Sequence, residues 1–361
     1  MDIYITGNQA LAIVRSSRLG RGVELRTCEE EVVAPATCSA AVANSVLRLV
    51  RTVDWGNPGA ASLELLISTR AHQTYDHDWR LLRHTRALSS YCYRMLVFPA
   101  YELHAVGLPG DTRILVDSPA RCIERAANNL AYAGGDRPEH RQESFVRTLC
   151  LMDELMGTYG REPNRPMKSD LSYGLTPILT GREMDDFLSW CGGGDGARLA
   201  RRVLSFAGEG LASPLEALAH ALLTLPPRYG GIGLGTFEAN ASIFPDGSDG
   251  PVSHSCITPD LTSKALGIVV ECDGRAFHES GASFVEDRKR WRDYQVMGFS
   301  AVPVTFSDIC SLGSIDLLAE TLISVAGDRL SVAERFRVRR AVKSEPARAR
   351  RLVLIKAFLP K

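Results

Sequence analysis

The sequence predicts an α/β protein: a mixed α/β and helical N-terminal region over residues 1–208, an α/β domain over 209–330, and a basic tail over 331–361. Three observations lead there. Short β-branched runs alternate with stretches of helical period, which argues for strands interleaved with helices. Gly208-Glu209-Gly210 is the natural linker between two such regions. A chain of 361 residues is long enough for two domains with ample core.

Taken in order, Thr6 is placed to cap a helix over 8–15, and 38–53 carries Val42, Val46, Leu47 and Val50 at helical spacing. Residues 63–68, 94–98 and 112–116 read as strands, and 119–130 as a helix. His72, His77 and His84, with Asp76 and Asp78, have no recognised metal-ligand spacing and read as a polar loop. The middle is helical. Phe145, Leu149, Met152, Leu155 and Met156 repeat at helical spacing within 143–159, and 182–190 and 197–207 continue the pattern. The glycine run 191–196 follows a helix rather than a strand and lacks the Lys-Ser/Thr of a phosphate loop, so it reads as a hinge.

Ser213-Pro214-Leu215-Glu216 is a helix start: Ser213 as N-cap, Pro214 at the first helical position, Glu216 closing a capping box. That helix runs to about Leu225, and 237–244 reads as a first strand. Residues 256–261 form a second strand, 262–265 a tight hairpin, and 266–273 a buried strand. Side chains alternate across a strand, so Ile268, Val270 and Cys272 share one face, and Val269, Glu271 and Asp273 the other. The hairpin would lay Asp260 beside Glu271. Carboxylates gathered at one sheet end repel unless a cation sits among them, which makes a plausible site for Mg²⁺ or another hard divalent ion. Cys272 points to the apolar face and reads as a small core residue, not a nucleophile. The helix 282–297 turns Phe284, Trp291 and Tyr294 to the sheet and sets Arg288 and Arg292 one turn apart on a neighbouring face. Gly298 ends it, and 300–306 is a last strand whose Pro303 implies an edge or bulge. A final helix spans 316–325.

Composition narrows the function classes. Formal charge is zero, so any nucleic-acid surface has to be local. The tail supplies one candidate, with ten Lys or Arg against two Glu. No apolar run reaches the length of a membrane span, and Met1-Asp2-Ile3-Tyr4 lacks signal-peptide character. Nine cysteines without C-x-x-C pairs fit neither a disulfide framework nor a zinc ribbon. The expected setting is cytoplasmic, with no membrane partner.

Pro259-Asp260, then an apolar strand ending Glu271-Cys272-Asp273-Gly274, resembles the core of PD-(D/E)xK nucleases. The likeness is to the branch related to very-short-patch mismatch endonucleases. Asp273 to His278 has that branch's D-G-x-x-x-H form, and Asp287-Arg288-Lys289-Arg290 its D-R-x-R helix. Asp273 stands where the general pattern has lysine. The resemblance covers roughly the last third of the chain. It implies a restriction-endonuclease-like core, with a central mixed sheet flanked by helices, acting on DNA. Asp260 and Glu271 would be ligands to Mg²⁺ or Mn²⁺, Asp273 and Glu216 would assist, and His278 would handle a proton or the attacking water. Arg288, Lys289 and Arg292 are the candidate contacts to nucleic acid. The N-terminal region is similar to sensor-like regions ahead of such cores, including those of AbiE-type antitoxins, which implies a protein partner there. A nuclease-like fold that binds DNA without cutting is the other reading.

Overall fold

The computed structural model describes residues 1–22, 24–27, 38–52, 63–67, 78–84, 88–133, 138–163, 171–246, 250–273 and 281–359. His278 and the rest of the D-G-x-x-x-H element after Asp273 lie outside them, as do His72, Asp76 and His77, and the side chain of Phe284. The chain is α/β and divides into two units. The first is 1–137 with 160–205, the second 138–159 with 206–361.

In chain order the first unit holds β1 (Asp2–Thr6), α1 (Gly7–Arg18), β2 (Leu25–Arg26), α2 (Ala40–Thr52), β3 (Leu63–Ile67), β4 (Trp79–Arg83), β5 (Tyr93–Leu96), α3 (Ala100–Ala105), β6 (Arg113–Asp117) and α4 (Pro119–Ala133). The chain then forms α5 (Pro138–Met156) of the second unit, and returns through β7 (Tyr159–Arg161), β8 (Leu171–Tyr173), α6 (Gly181–Cys191) and α7 (Asp195–Leu204). The large sheet has the order β2-β5-β6-β1-β3-β4, with β1 parallel to β6 and β3 parallel to β4. Ile3, Ile5, Leu63, Leu65, Ile114 and Val116 alternate inward from its strands and meet Ile13, Val46 and Leu49 of α1 and α2. Thr6 adopts the extended N-cap conformation, but its hydroxyl makes no cap bond. It donates instead to the buried carboxylate of Asp117 at 2.5 Å, which also accepts the Gly7 N–H.

The second unit continues with α8 (Pro214–Thr224), β9 (Glu238–Ala239), β10 (Leu261–Ser263), β11 (Ile268–Asp273), α9 (Gly281–Val296), β12 (Ser300–Thr305), α10 (Phe306–Ile309), α11 (Leu312–Ala326), α12 (Val332–Lys343) and α13 (Glu345–Phe358). Its sheet runs β12-β11-β10-β9; β11 and β12 are parallel, and the other pairs antiparallel. Ile268, Val269 and Val270 are fully buried, because a strand covered on both faces has no solvent side to keep polar. Pro303 sits in β12, an edge strand, where a missing N–H costs no ladder bond. The β10–β11 turn needs glycine at 267. Its φ is +59°, and the Arg329 guanidinium occupies the space a Cβ would fill, donating to the carbonyls of Leu266 and Gly267.

Three expectations change. The first predicted strand of this unit, 237–244, shrinks to β9, because Asn240 takes a left-handed φ of +47° and breaks the run. The second begins at Leu261; upstream, Ile257 makes only a single bridge to Ile243. The three-part division fails at both ends of the second unit. α5 belongs to it: Phe145 stacks on Tyr229 at 3.8 Å and 5°, and Asp153 accepts the Gly208 N–H. The tail is not a separate solvated appendage either, since Leu354 and Phe358 of α13 are fully buried. Arg351 is buried with them, donating to the carbonyls of Gly230 and Val342.

Candidate metal and nuclease site

The site is built by the β10–β11 register. Leu261 pairs with Val270, so Asp260, one residue upstream, reaches the end of β11 at the level of Glu271. Asp260 is fixed there by one backbone donor: its Oδ2 accepts the Cys272 N–H at 2.6 Å. Glu271 is held from α9. Its Oε1 accepts the Tyr294 hydroxyl at 2.5 Å and an Arg290 Nη2–H at 2.8 Å. Arg290 and Tyr294 lie one turn apart, so one helix face carries both donors, and Arg290 also donates to the Tyr294 oxygen. Tyr294 packs beside Val269, Ile243 and Ile257, which places α9 on the Val269/Glu271 face. The Asp260 backbone N–H also acts on the Glu271 carboxylate, whereas among the described residues Asp260 accepts only through Oδ2.

Glu216 enters from the start of α8, and both its oxygens are occupied. Oε1 accepts the Ser213 hydroxyl; Oε2 accepts the Ala212 N–H at 2.8 Å and the Asn240 amide at 3.0 Å. Ser213 caps the helix as expected, accepting the Glu216 N–H. The return bond runs to Ala212, one residue before the cap, rather than to the cap itself. Asn240 is the tie between the parts. Its side chain also donates to the Gly210 carbonyl, and its backbone N–H to the Asp260 carbonyl at 2.9 Å.

Electrostatics bring the three carboxylates into one field. Burial pushes the carboxyl pKa of Glu216, Asp260 and Glu271 upward, and the Asp260 charge raises both glutamates further. Backbone N–H groups oppose this at Glu216 and Asp260, as do Tyr294 and Arg290 at Glu271. The Cys272 thiol, on the opposite strand face, is raised well above its ordinary value by burial and then by all three carboxylates. Cys272 keeps its place on the strand face opposite Glu271, half-buried, and still senses all three carboxylates. Its raised pKa suppresses the thiolate, so it is no nucleophile.

The remaining residues fall less centrally. Asp273 is exposed at the end of β11, paired in register with Thr305. Arg288 and Arg292 are exposed on α9, and Lys289 pairs with Glu286 at 3.1 Å. Trp291 is exposed, not turned to the sheet; the inward phase of α9 is instead set by Tyr294, Asp293 and Arg290. Asp293 is buried and takes the N–H groups of Ser253 and His254. The His254 ring bridges Asp293 and Glu286 at 2.6 Å on each side, clipping the 251–257 segment to α9.

A divalent ion fits this donor set in a limited way. No group of three or more His, Cys, Asp or Glu among the described residues can hold a metal. Asp260 and Glu271 offer two carboxylates, which suits Mg²⁺, an ion that keeps several waters and takes one or two carboxylates. No helix among the described residues is long and apolar enough to cross a membrane. Compared with protein-family models, curated proteins and solved structures, the chain matches none.

Proposed function

We propose that the second unit is the catalytic part of a cytoplasmic, divalent-metal-dependent endodeoxyribonuclease related to the PD-(D/E)xK nucleases. The observation that carries this reading is the convergence of Asp260 and Glu271 at one sheet end, Asp260 oriented through Oδ2 and Glu271 through Oε1. Asp260 and Glu271 would hold Mg²⁺ or Mn²⁺, which supplies a water of lowered pKa and offsets charge on a phosphodiester. The chain's own work is orientation. The Cys272 N–H aims Asp260, and Tyr294 with Arg290 aims Glu271. Glu216, saturated by its own hydrogen bonds, supports the start of α8 and shares the field of Asp260 without being needed as a ligand. Asp273 assists at the strand end, and His278 is the proton-handling group. DNA is the partner, approached over Arg288, Lys289 and Arg292, and the first unit is a protein-binding region.

A second reading has its own support. Arg290 and Tyr294 already satisfy Glu271 without a metal, as suits a nuclease-like unit that binds DNA and does not cut it. Plasmid nicking with Mg²⁺ and Mn²⁺ separates the two. Wild type nicks, Asp260→Ala and Glu271→Ala abolish nicking with the fold intact, and His278→Ala slows it about 10²–10⁴-fold. Wild-type protein that binds DNA yet leaves plain duplex, mismatched and single-stranded substrates uncut with both metals establishes the second reading.

A further inference from the structure

α12 carries an exposed stripe that the fold does not use. Its inner face buries Val338 and Val342. Its outer face presents Val332 at 80% exposure and Phe336 at 66%, followed by exposed Arg337, Arg340 and Lys343. Residues 332, 336, 340 and 343 fall on one side of a helix, with 337 beside them. The flanking cations are engaged: Arg335 with Asp328 and Arg339 with Glu320. Arg340 and Lys343 have no hydrogen-bond or ion-pair partner among the described residues, and Arg337 only shares the field of Glu334. In a chain of zero net charge, this is a local concentration of unneutralised cations around an exposed aromatic ring.

We propose that this face of α12 binds single-stranded nucleic acid, with Arg337, Arg340 and Lys343 on successive phosphates and Phe336 stacked on a base. The cations advance about 4.5 Å per step along the helix, a total of about 9 Å, comparable to two or three nucleotides. An unpaired base offers its π-face to Phe336, whereas a base inside a duplex offers none except at an end. A lipid surface fits less well. An interfacial helix keeps its cations opposite a broad apolar face, but here two apolar side chains share one stripe with Arg340 and Lys343, which insertion would drag into the membrane. An acidic protein segment would neutralise the cations and leave the ring of Phe336 in water.

The proposal rests on the nucleic-acid reading of this unit and adds the surface and strand state. It is tested with full-length protein in EDTA, where cutting cannot occur, by anisotropy of a labelled oligothymidylate across a salt series. The side chains substituted on α12 are exposed, and thermal melts confirm that each variant, Glu271→Ala included, folds. Arg337→Ala/Arg340→Ala/Lys343→Ala lowers affinity at least tenfold and flattens the log-log salt slope by about 2, as three lost single-strand phosphate contacts require. Phe336→Ala weakens single-strand binding about 5- to 100-fold, with the salt slope unchanged and duplex binding little affected. The doubly conservative Arg337→Lys/Arg340→Lys retains binding. Glu271→Ala, which disables the proposed metal site, binds like wild type, so lost nicking with retained binding leaves this surface standing. The proposal is overturned if wild type does not bind the oligonucleotide, if the triple variant or Phe336→Ala binds as wild type does, or if phosphatidylserine vesicles and not oligonucleotides show the variant dependence.

Discussion

Glu271 depends on Arg290, and the size of that dependence can be worked from the geometry. Arg290→Met keeps most of the side-chain stem and removes a charge-assisted hydrogen bond of 2.8 Å. The pair is neither open nor sealed, with side chains 32% and 20% exposed. A hydrogen bond to a charged group contributes about 1.5–3 kcal/mol, and severing a fully buried pair costs about 3–5 kcal/mol. With this much solvent contact, the lower range applies. A loss of about 2 kcal/mol lowers the melting temperature by about 4–8 °C for a unit of this size. The assay is urea unfolding in EDTA on a double-mutant cycle with Glu271→Gln, which keeps an acceptor for Tyr294 and removes the charge. Arg290→Met should then cost at least about 1 kcal/mol less in the Gln background. Coupling within about 0.3 kcal/mol of zero would mean that Arg290 is a surface side chain and does not hold Glu271.

Titration supplies further tests. Glu216, Asp260 and Glu271 have raised carboxyl pKa values, so the folded state keeps their protons longer than the unfolded chain does. Metal-free stability should fall as pH rises from the ordinary carboxylate range through those raised values, and Glu271→Gln should flatten the decline in a melting-temperature series. The His254 pKa is raised, first by Asp293 and then by Glu286, so its contribution is full below the ordinary imidazole pKa and lost as pH rises through the raised value. The stability gap between wild type and His254→Gln should therefore close at alkaline pH. A gap that widens refutes the clip. Glu216→Ala should cost about 1–3 kcal/mol in urea, because the Ala212 N–H and the Asn240 amide lose their acceptor, while nicking persists. A fragment of 206–361 should lack a cooperative transition and regain one when residues 138–159 are supplied as a peptide. Cooperative unfolding of the fragment alone would show that α5 is dispensable.

The sheet elements were legible where local rules decide them. β3, β5, β6, β11 and β12 are short apolar runs, and the Ser213-Pro214-x-Glu216 start of α8 follows from capping chemistry. Asp260 and Glu271 could be paired from a short turn and two strands, although the strand expected over 256–261 begins only at Leu261, which leaves Asp260 one residue before it. The phase of α9 was harder to read. Trp291 looked like the buried residue by hydrophobicity, yet Arg290 faces the site because a charged partner waits there. An i,i+4 pairing of Arg290 with Tyr294 was visible in the sequence, but its purpose depends on Glu271, 19 residues upstream. Asn240 carried a weaker signal. Asparagine is among the few residues that tolerate a left-handed backbone, so it marked a possible break in the 237–244 strand.

What the sequence hid most completely is where the second unit begins and ends. A linker reading rewards glycine, and Gly208-Glu209-Gly210 supplies it. Yet the Gly208 N–H is bound by the buried Asp153 of α5, and the Gly210 N–H by the Met156 carbonyl, so this stretch is structure rather than tether. Net charge misled in the same way at the other end. Ten cations in the tail suggested a solvated helix, but Arg348 and Arg351 face Asp316, and Arg351 lies fully buried against the Gly230 carbonyl. Gly230 permits that approach: its φ is +97°, and a Cβ there would meet the backbone of Arg350 and Arg351 at 2.9 Å. Arg348 and Arg351 of α13 therefore serve the fold, while α12 holds Arg337, Arg340 and Lys343 exposed for a polyanion. Composition could count them but not divide them, because the division depends on partners outside the two helices, from Asp316 and Glu320 to the Gly230 carbonyl 121 residues upstream of Arg351.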